Sequence, residues 1–173
     1  MFSGTSGMKD DVLLSGRPYG GVAILWKREF CKHVTPLKVS CRRLCAVKVH
    51  LEEAREKLLL LNCYMPCDTY LQNECNDEFL EVMDAVESLV AEHSECRVIW
   101  GGDFNADTAR GNAHDRYYKQ VVERLGFVDL WQEHPQQGRY TYCDLAQRSY
   151  SCIDRVALST DLLGLLLKSQ CRA

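Results

Sequence analysis

The sequence predicts a layered α/β domain, and three observations predict it. Short apolar runs bounded by Gly, Pro or charge recur along the chain. Two of them are joined closely enough to form a hairpin, and stretches with apolar residues three and four apart lie between the later ones. Strand pairs alternating with covering helices is the pattern of a sheet whose faces must be buried.

The first strand expected is Gly20 to Trp26, where Gly-Gly-Val-Ala-Ile-Leu-Trp stands between Pro18 and Lys27-Arg28. A second covers Arg42 to Leu51. There Cys45, Val47, Val49 and Leu51 share one face, which makes Cys45 a small core residue. Lys57 to Tyr64 forms a third ahead of Pro66, and the short charged link Glu52 to Glu56 makes the two an antiparallel hairpin. Between Leu71 and His93, Phe79, Val82, Met83, Val86, Leu89 and Val90 recur at helical spacing with glutamates between them. Arg97 to Gly102 returns to a compact apolar strand. Asp115 to Leu125 fits a second helix stopped by Gly126, and Tyr140 to Cys143 and Ser151 to Leu158 read as late strands.

A chain of 173 residues is long enough to bury a core without staples, and no repeat or Pro/Gly/Ser-rich linker divides it, so residues 1–173 are expected to form a single domain. With 46% hydrophobic and 26% charged residues the composition is that of a globular protein, not a disordered one. No apolar stretch reaches membrane length, and Met1 to Asp10 lacks the features of a signal peptide, so an intracellular protein of nucleus or cytoplasm is expected. Its ten cysteines are therefore read as reduced. Cys41 with Cys45 and Cys63 with Cys67 lie within the spacing of zinc ligands but lack the flanking turn residues of a zinc knuckle. A net charge of -3 excludes binding of nucleic acid by bulk positive charge. The charge is uneven, however: residues 1–60 hold 11 Lys+Arg against 6 Asp+Glu, and residues 61–173 hold 10 against 18.

The sharpest chemical feature is Trp100-Gly101-Gly102-Asp103-Phe104-Asn105, an apolar strand ending in two glycines, a carboxylate and an amide. Residues two apart on an extended backbone point the same way, so Asp103 and Asn105 are expected to converge. A carboxylate that can deprotonate water beside an amide that can hold it or a phosphate oxygen is the minimum for in-line hydrolysis. A plain turn is the competing reading, since Gly, Asp and Asn favour turns. His114, Asp107 and Asp115 are set aside as a solvated loop before the second helix.

Gly-Asp-Phe-Asn resembles the central signature of the endonuclease/exonuclease/phosphatase superfamily. A given tetrapeptide arises by chance in about one chain in a thousand of this length. Tyr19-Gly20-Gly21-Val22-Ala23-Ile24, Leu61-Asn62-Cys63-Tyr64-Met65-Pro66, Tyr140-Thr141-Tyr142 and Ser151-Cys152-Ile153-Asp154 also resemble, in order, blocks of the endonuclease domains of non-LTR retrotransposons. The resemblance implies a two-sheet β-sandwich flanked by helices, four layers α/β/β/α, incomplete at both edges. It implies a metal-dependent endonuclease that hydrolyses DNA phosphodiesters with Mg²⁺, or Mn²⁺ in its place, linked in a longer parent protein to a reverse transcriptase.

On that resemblance Asp103 activates the attacking water and contacts the metal indirectly, and Asn105 positions the water and the scissile phosphate. Tyr64 directs its hydroxyl to a phosphate or leaving oxygen, Thr141 adds a phosphate contact, and Asp154 orients a catalytic histidine. Singly, Tyr64 could be a core aromatic, Thr141 a strand former and Asp154 one half of an ion pair with Arg155. The superfamily's metal-binding glutamate has no match in Met1 to Gly16, and its closing Asp-His pair has none after Asp154. A truncated domain with little or no nuclease activity and marginal stability is therefore expected. A catalytically inactive remnant that binds nucleic acid or a partner, and a phosphatase of small phosphate esters, are the alternatives.

Overall fold

The computed structural model describes residues 1–6, 20–52, 55–67, 75–133, 140–146 and 148–164. Its centre is a six-stranded mixed sheet in the order β3-β4-β5-β6-β10-β7, from β3 (Val34–Leu37), β4 (Leu44–Leu51), β5 (Glu56–Tyr64), β6 (Arg97–Asp103), β7 (Phe127–Asp129) and β10 (Asp154–Ser159). The predicted hairpin is β4–β5, antiparallel from Leu44↔Cys63 to Leu51↔Glu56. β5 then pairs with β6 in parallel. A parallel neighbour needs a long crossover, and α1 (Asp77–Glu92) supplies it.

Asn76 caps α1 by accepting the Glu78 N–H at 2.8 Å. The apolar stripe read from the sequence is its buried face: Phe79, Val82, Met83, Val86 and Leu89, each contributing on the order of 2 kcal/mol. This face joins Leu59, Leu61, Val98, Trp100 and, from α2 (Ala113–Arg124), Tyr118, Val121 and Val122 in one core. The sequence set the start of α2 at Asp115. It begins two residues earlier because the buried Asp115 carboxylate reaches back to the Asn112 N–H, 2.8 Å away, and satisfies a donor of the first turn.

Side chains alternate across a sheet, so Cys45 and Asn62 lie on the face away from the helices. There a second sheet covers them, β1 (Phe2–Thr5) paired antiparallel with β2 (Val22–Leu25). Cys45 is buried, as expected, and its thiol donates to the Ser3 carbonyl; the Asn62 amide donates to the Ala23 carbonyl. Helices, a large sheet and a second sheet thus stack as the α/β sandwich that was expected. On the outer face of β1–β2, Phe2 and Leu25 are 72% and 77% exposed, so no outer helical layer covers them among the described residues. A short helix α3 (Leu130–Glu133) follows β7, and β8 (Tyr142–Asp144) with β9 (Ser149–Ser151) makes a third small sheet. The nine described cysteines are unbridged.

Candidate active site

The register of three adjacent strands builds the site. Tyr64, the last residue of β5, is the parallel partner of Asp103 on β6, and Asp103 is the antiparallel partner of Asp154 on β10. The three side chains therefore form one row across the sheet, on the face away from the helices. The row opens into a cleft of about 610 Å³ whose lining includes Tyr64, Asp103, Asp154, Thr141, Asn62 and Trp131. No histidine is among the described residues lining it.

Two neighbours hold Asp154. The Thr141 Oγ1 accepts both the Ile153 and the Asp154 N–H, each at 3.0 Å, and the Trp131 indole donates to the Asp154 carbonyl at 3.0 Å. The Thr141 oxygen is thus occupied as an acceptor, and its proton is what it can give to a ligand. Arg155 does not pair with Asp154. Consecutive strand residues point to opposite faces, and Arg155 turns inward to Asp129, its Nε 2.7 Å from the Asp129 Oδ2.

Asn105 is the predicted residue that the structure does not bring into the described lining. The strand ends at Asp103, and the chain reverses through Asn105 at a φ of 48°. Its N–H donates to the Asp103 Oδ1 at 3.0 Å, an Asx turn, and its side-chain amide donates to the Met65 carbonyl at 2.7 Å. Asp103 and Asn105 are therefore not two positions of one extended strand, because the chain reverses one residue after β6 ends. The polar stretch that follows is exposed at 109–111 but not at the three residues set aside as solvated. Asp107, His114 and Asp115 are buried, His114 stacks on Phe79 with ring centroids 3.9 Å apart, and both carboxylates accept backbone N–H groups. Composition signalled solvation; internal hydrogen bonds to both carboxylates are what permit their burial instead.

No family model matches the chain, and no curated protein matches it. Solved structures do match. The endonuclease domain of TRAS1, a telomere-specific non-LTR retrotransposon, is similar with a TM-score of 0.62 at 14% identity, over 94% of this chain and 66% of that one. The catalytic domain of human Nocturnin with bound sulfate anion is similar with a TM-score of 0.59 at 12% identity, over 92% and 60%. AP endonuclease LMAP from Leishmania major gives 0.56 at 14% identity, over 69% and 46%.

The chain has the endonuclease/exonuclease/phosphatase fold. It spans about two thirds or less of the length of those three proteins. Within this fold the cleft sits where β5, β6 and β10 bring distant sequence blocks together. Trp131 is a cleft residue that the sequence reading missed. The stretch Phe127 to Trp131, apolar except for Asp129, was its only signal, and nothing in it distinguishes a cleft wall from a core strand.

Burial raises the Asp103 carboxyl above its ordinary value, Asp154 adds to the rise, and the Asn105 N–H opposes it. The folded protein therefore holds this proton to a higher pH than the unfolded chain does. Stability falls as pH climbs from the ordinary carboxylate value through the raised one, and the loss persists at neutral pH. In EDTA at pH 7, Asp103→Asn is expected to melt slightly above wild type, by less than about 1 kcal/mol because a charge at the mouth of an open cleft is partly screened. The difference should vanish well below the ordinary Asp value near pH ~3.9. An Asn variant that melts lower than wild type at pH 7 in thermal denaturation would count against this account of the site.

Mg²⁺ keeps several waters and is commonly held by one or two carboxylates. Asp103 and Asp154 supply that donor chemistry. No third His, Cys, Asp or Glu joins them in a cluster among the described residues.

Proposed function

We propose that this fold hydrolyses DNA phosphodiester bonds as a Mg²⁺-dependent endonuclease domain derived from a non-LTR retrotransposon protein whose longer chain carries a reverse transcriptase. The row Tyr64–Asp103–Asp154 across three hydrogen-bonded strands, facing Thr141 over one cleft, carries this reading. Likeness to the endonuclease domain of TRAS1 supports DNA as the substrate.

Asp103 takes the proton of the attacking water. Its raised proton affinity makes it a better base than an ordinary carboxylate. Asp154, its cross-strand neighbour, helps keep that affinity high and is itself fixed by Thr141 and Trp131. Tyr64 offers its hydroxyl to a phosphoryl or leaving oxygen, and Thr141 donates its remaining proton to a second phosphoryl oxygen. Asn105 fastens the end of β5 by giving one of its two amide hydrogens to Met65, and the other is the one it has for a phosphoryl oxygen. Asp103, with Asp154 beside it, would hold Mg²⁺, which would supply Lewis acidity at the phosphoryl oxygen.

A second reading, a nucleic-acid-binding remnant without catalysis, is favoured by the lack of a histidine among the described lining residues. Loss of one preorganised donor typically costs a hundredfold to a thousandfold, so a slow enzyme is expected. Incubated with supercoiled plasmid and Mg²⁺, the protein should nick DNA slowly, and both EDTA and Asp103→Ala should abolish the nicking. Binding of a DNA duplex without any nicking supports the second reading, and nicking that survives Asp103→Ala removes the first.

A further inference from the structure

We propose that Asp107 is a positioning residue that sets where the Asn105 turn stands relative to Asp154, and so keeps the two sides of the cleft in register. The sequence offered Asp107 as a loop residue, but only 8% of it is exposed. Its two carboxylate oxygens do different work. Oδ1 accepts the Ala109 N–H at 3.0 Å and closes its own turn, while Oδ2 accepts the N–H of Cys152 at 2.8 Å. Cys152 lies 45 residues further along the chain and two residues before Asp154.

Asp107 is itself held. Its N–H donates to the Asp115 Oδ1 at 2.6 Å, and the Arg110 Nη2 donates to that same oxygen at 2.9 Å and to the Asn105 carbonyl at 3.0 Å. The path from Asn105 through Arg110, Asp115 and Asp107 to Cys152 is made of hydrogen bonds with a charged partner in each. Such bonds are shorter and about twice as strong as neutral ones. On the near side of the reversal, the Phe104 N–H donates to the Ile153 carbonyl at 2.8 Å. One edge of the turn is therefore fixed by the backbone and the other by Asp107. Asn105 is also tied to Asp103 and Met65, so what Asp107 adds is the tie from the far side of the turn to the segment that leads into Asp154; without it the turn can shift against that segment.

This inference rests on the proposed hydrolysis insofar as Asn105 and Asp154 serve one phosphodiester, and its test separates the two. Asp107→Leu removes the acceptor, Asp107→Asn keeps one carbonyl oxygen for the Cys152 N–H, and Asp107→Glu keeps the charge but lengthens the arm by one methylene. In ¹⁵N–¹H spectra recorded in EDTA, Asp107→Leu and Asp107→Glu should move the Asn105 side-chain amide and the Asp154 backbone amide as well as Cys152. Asp107→Asn should return both toward wild type. In plasmid nicking, kcat should fall roughly a hundredfold in the Leu and Glu variants, the loss expected for a displacement near 1 Å. KM should stay within about twofold, and the Asn variant should recover most of the rate.

If Asp107→Leu fails to fold, Asp107→Glu carries the test alone. Asn105 and Asp154 signals that stay in place while only Cys152 moves would overturn the proposal, as would an equal rise in KM with kcat unchanged. If the wild-type protein nicks no DNA, the hydrolytic reading fails, and the spectra still decide what Asp107 holds.

Discussion

Gly102→Ala is expected to abolish the fold. Gly102 stands at a φ of 144°, and a Cβ built there would lie 2.0 Å from the Cys63 carbonyl oxygen and 2.8 Å from the Cys63 nitrogen. Cys63 is its parallel partner on β5, so the obstructing atoms are backbone held in the ladder and cannot rotate away. Relief would require the β5–β6 pair to separate at the point where Tyr64 and Asp103 are set side by side. The expected cost exceeds about 4 kcal/mol, a large part of the 5–15 kcal/mol that typically holds a domain together. Gly101→Ala is the control, because its Cβ would meet Val156 Cγ2 at 3.7 Å, an ordinary contact. Far-ultraviolet circular dichroism with thermal melting should show Gly101→Ala folded and Gly102→Ala unfolded or melting far below it. If both variants melt within a few degrees of wild type, the close approach of β5 and β6 is not what the structure depicts.

That glycine also marks how far the sequence could be read. The two glycines before Asp103 were visible as the end of an apolar strand, but which of them needs to lack a side chain depends on a strand 39 residues earlier. Elements with strong local periodicity were legible: the β4–β5 hairpin, the core face of α1, and β6. β1, β3 and β7 were not. Phe2–Thr5 contains Ser, Gly and Thr and is a strand only because Val22–Leu25 pairs with it. Val34–Leu37 contains Pro36, which reads against a strand until β3 is seen to be the sheet's outermost member, where a missing N–H is tolerated. Phe127–Asp129 is three residues long and lies on the opposite edge.

The site followed the same division. Tyr64 and Asp103 could be placed at strand ends and Asp154 within a late strand, whereas their alignment in one row requires the order β5-β6-β10, which no local pattern encodes. The loop from Asp107 to Asp115 was misread because polar composition indicates solvent unless the internal partners of each group are known. Those partners are long-range, as with Asp107 and Cys152.

Asp129→Ala is expected to cost about 3–5 kcal/mol, the usual penalty for leaving one member of a buried ion pair without its partner. Asp129 and Arg155 are 2% and 3% exposed, and the Tyr118 hydroxyl also donates to the Asp129 Oδ2, at 3.0 Å. Burial opposes the Arg155 charge, and the Asp129 carboxylate more than offsets that effect. Burial and Asp129 together keep the Tyr118 phenol protonated well beyond its ordinary range, so it remains a donor. Removing the carboxylate leaves a guanidinium whose partners among the described residues are the Cys152 carbonyl at 2.9 Å, the Thr108 hydroxyl at 3.1 Å and the face of the Tyr118 ring, and strands a buried hydroxyl. Taking away both charges should cost less than taking one. Asp129→Leu combined with Arg155→Met should recover part of the stability, because it removes the uncompensated guanidinium while the Tyr118 hydroxyl still lacks its acceptor. Urea denaturation of the single and double variants measures the difference. At a few degrees per kcal/mol for a chain of this size, the single variant should also melt roughly 10 °C lower. A single substitution costing under about 1 kcal/mol, or a double variant weaker than the single, would show that the pair is not the buried tie between β7 and β10. Because Arg155 adjoins Asp154 on β10, a loosened strand should also weaken plasmid nicking by the Asp129→Ala variant at temperatures where it is still folded, and the double variant should nick closer to the wild-type rate.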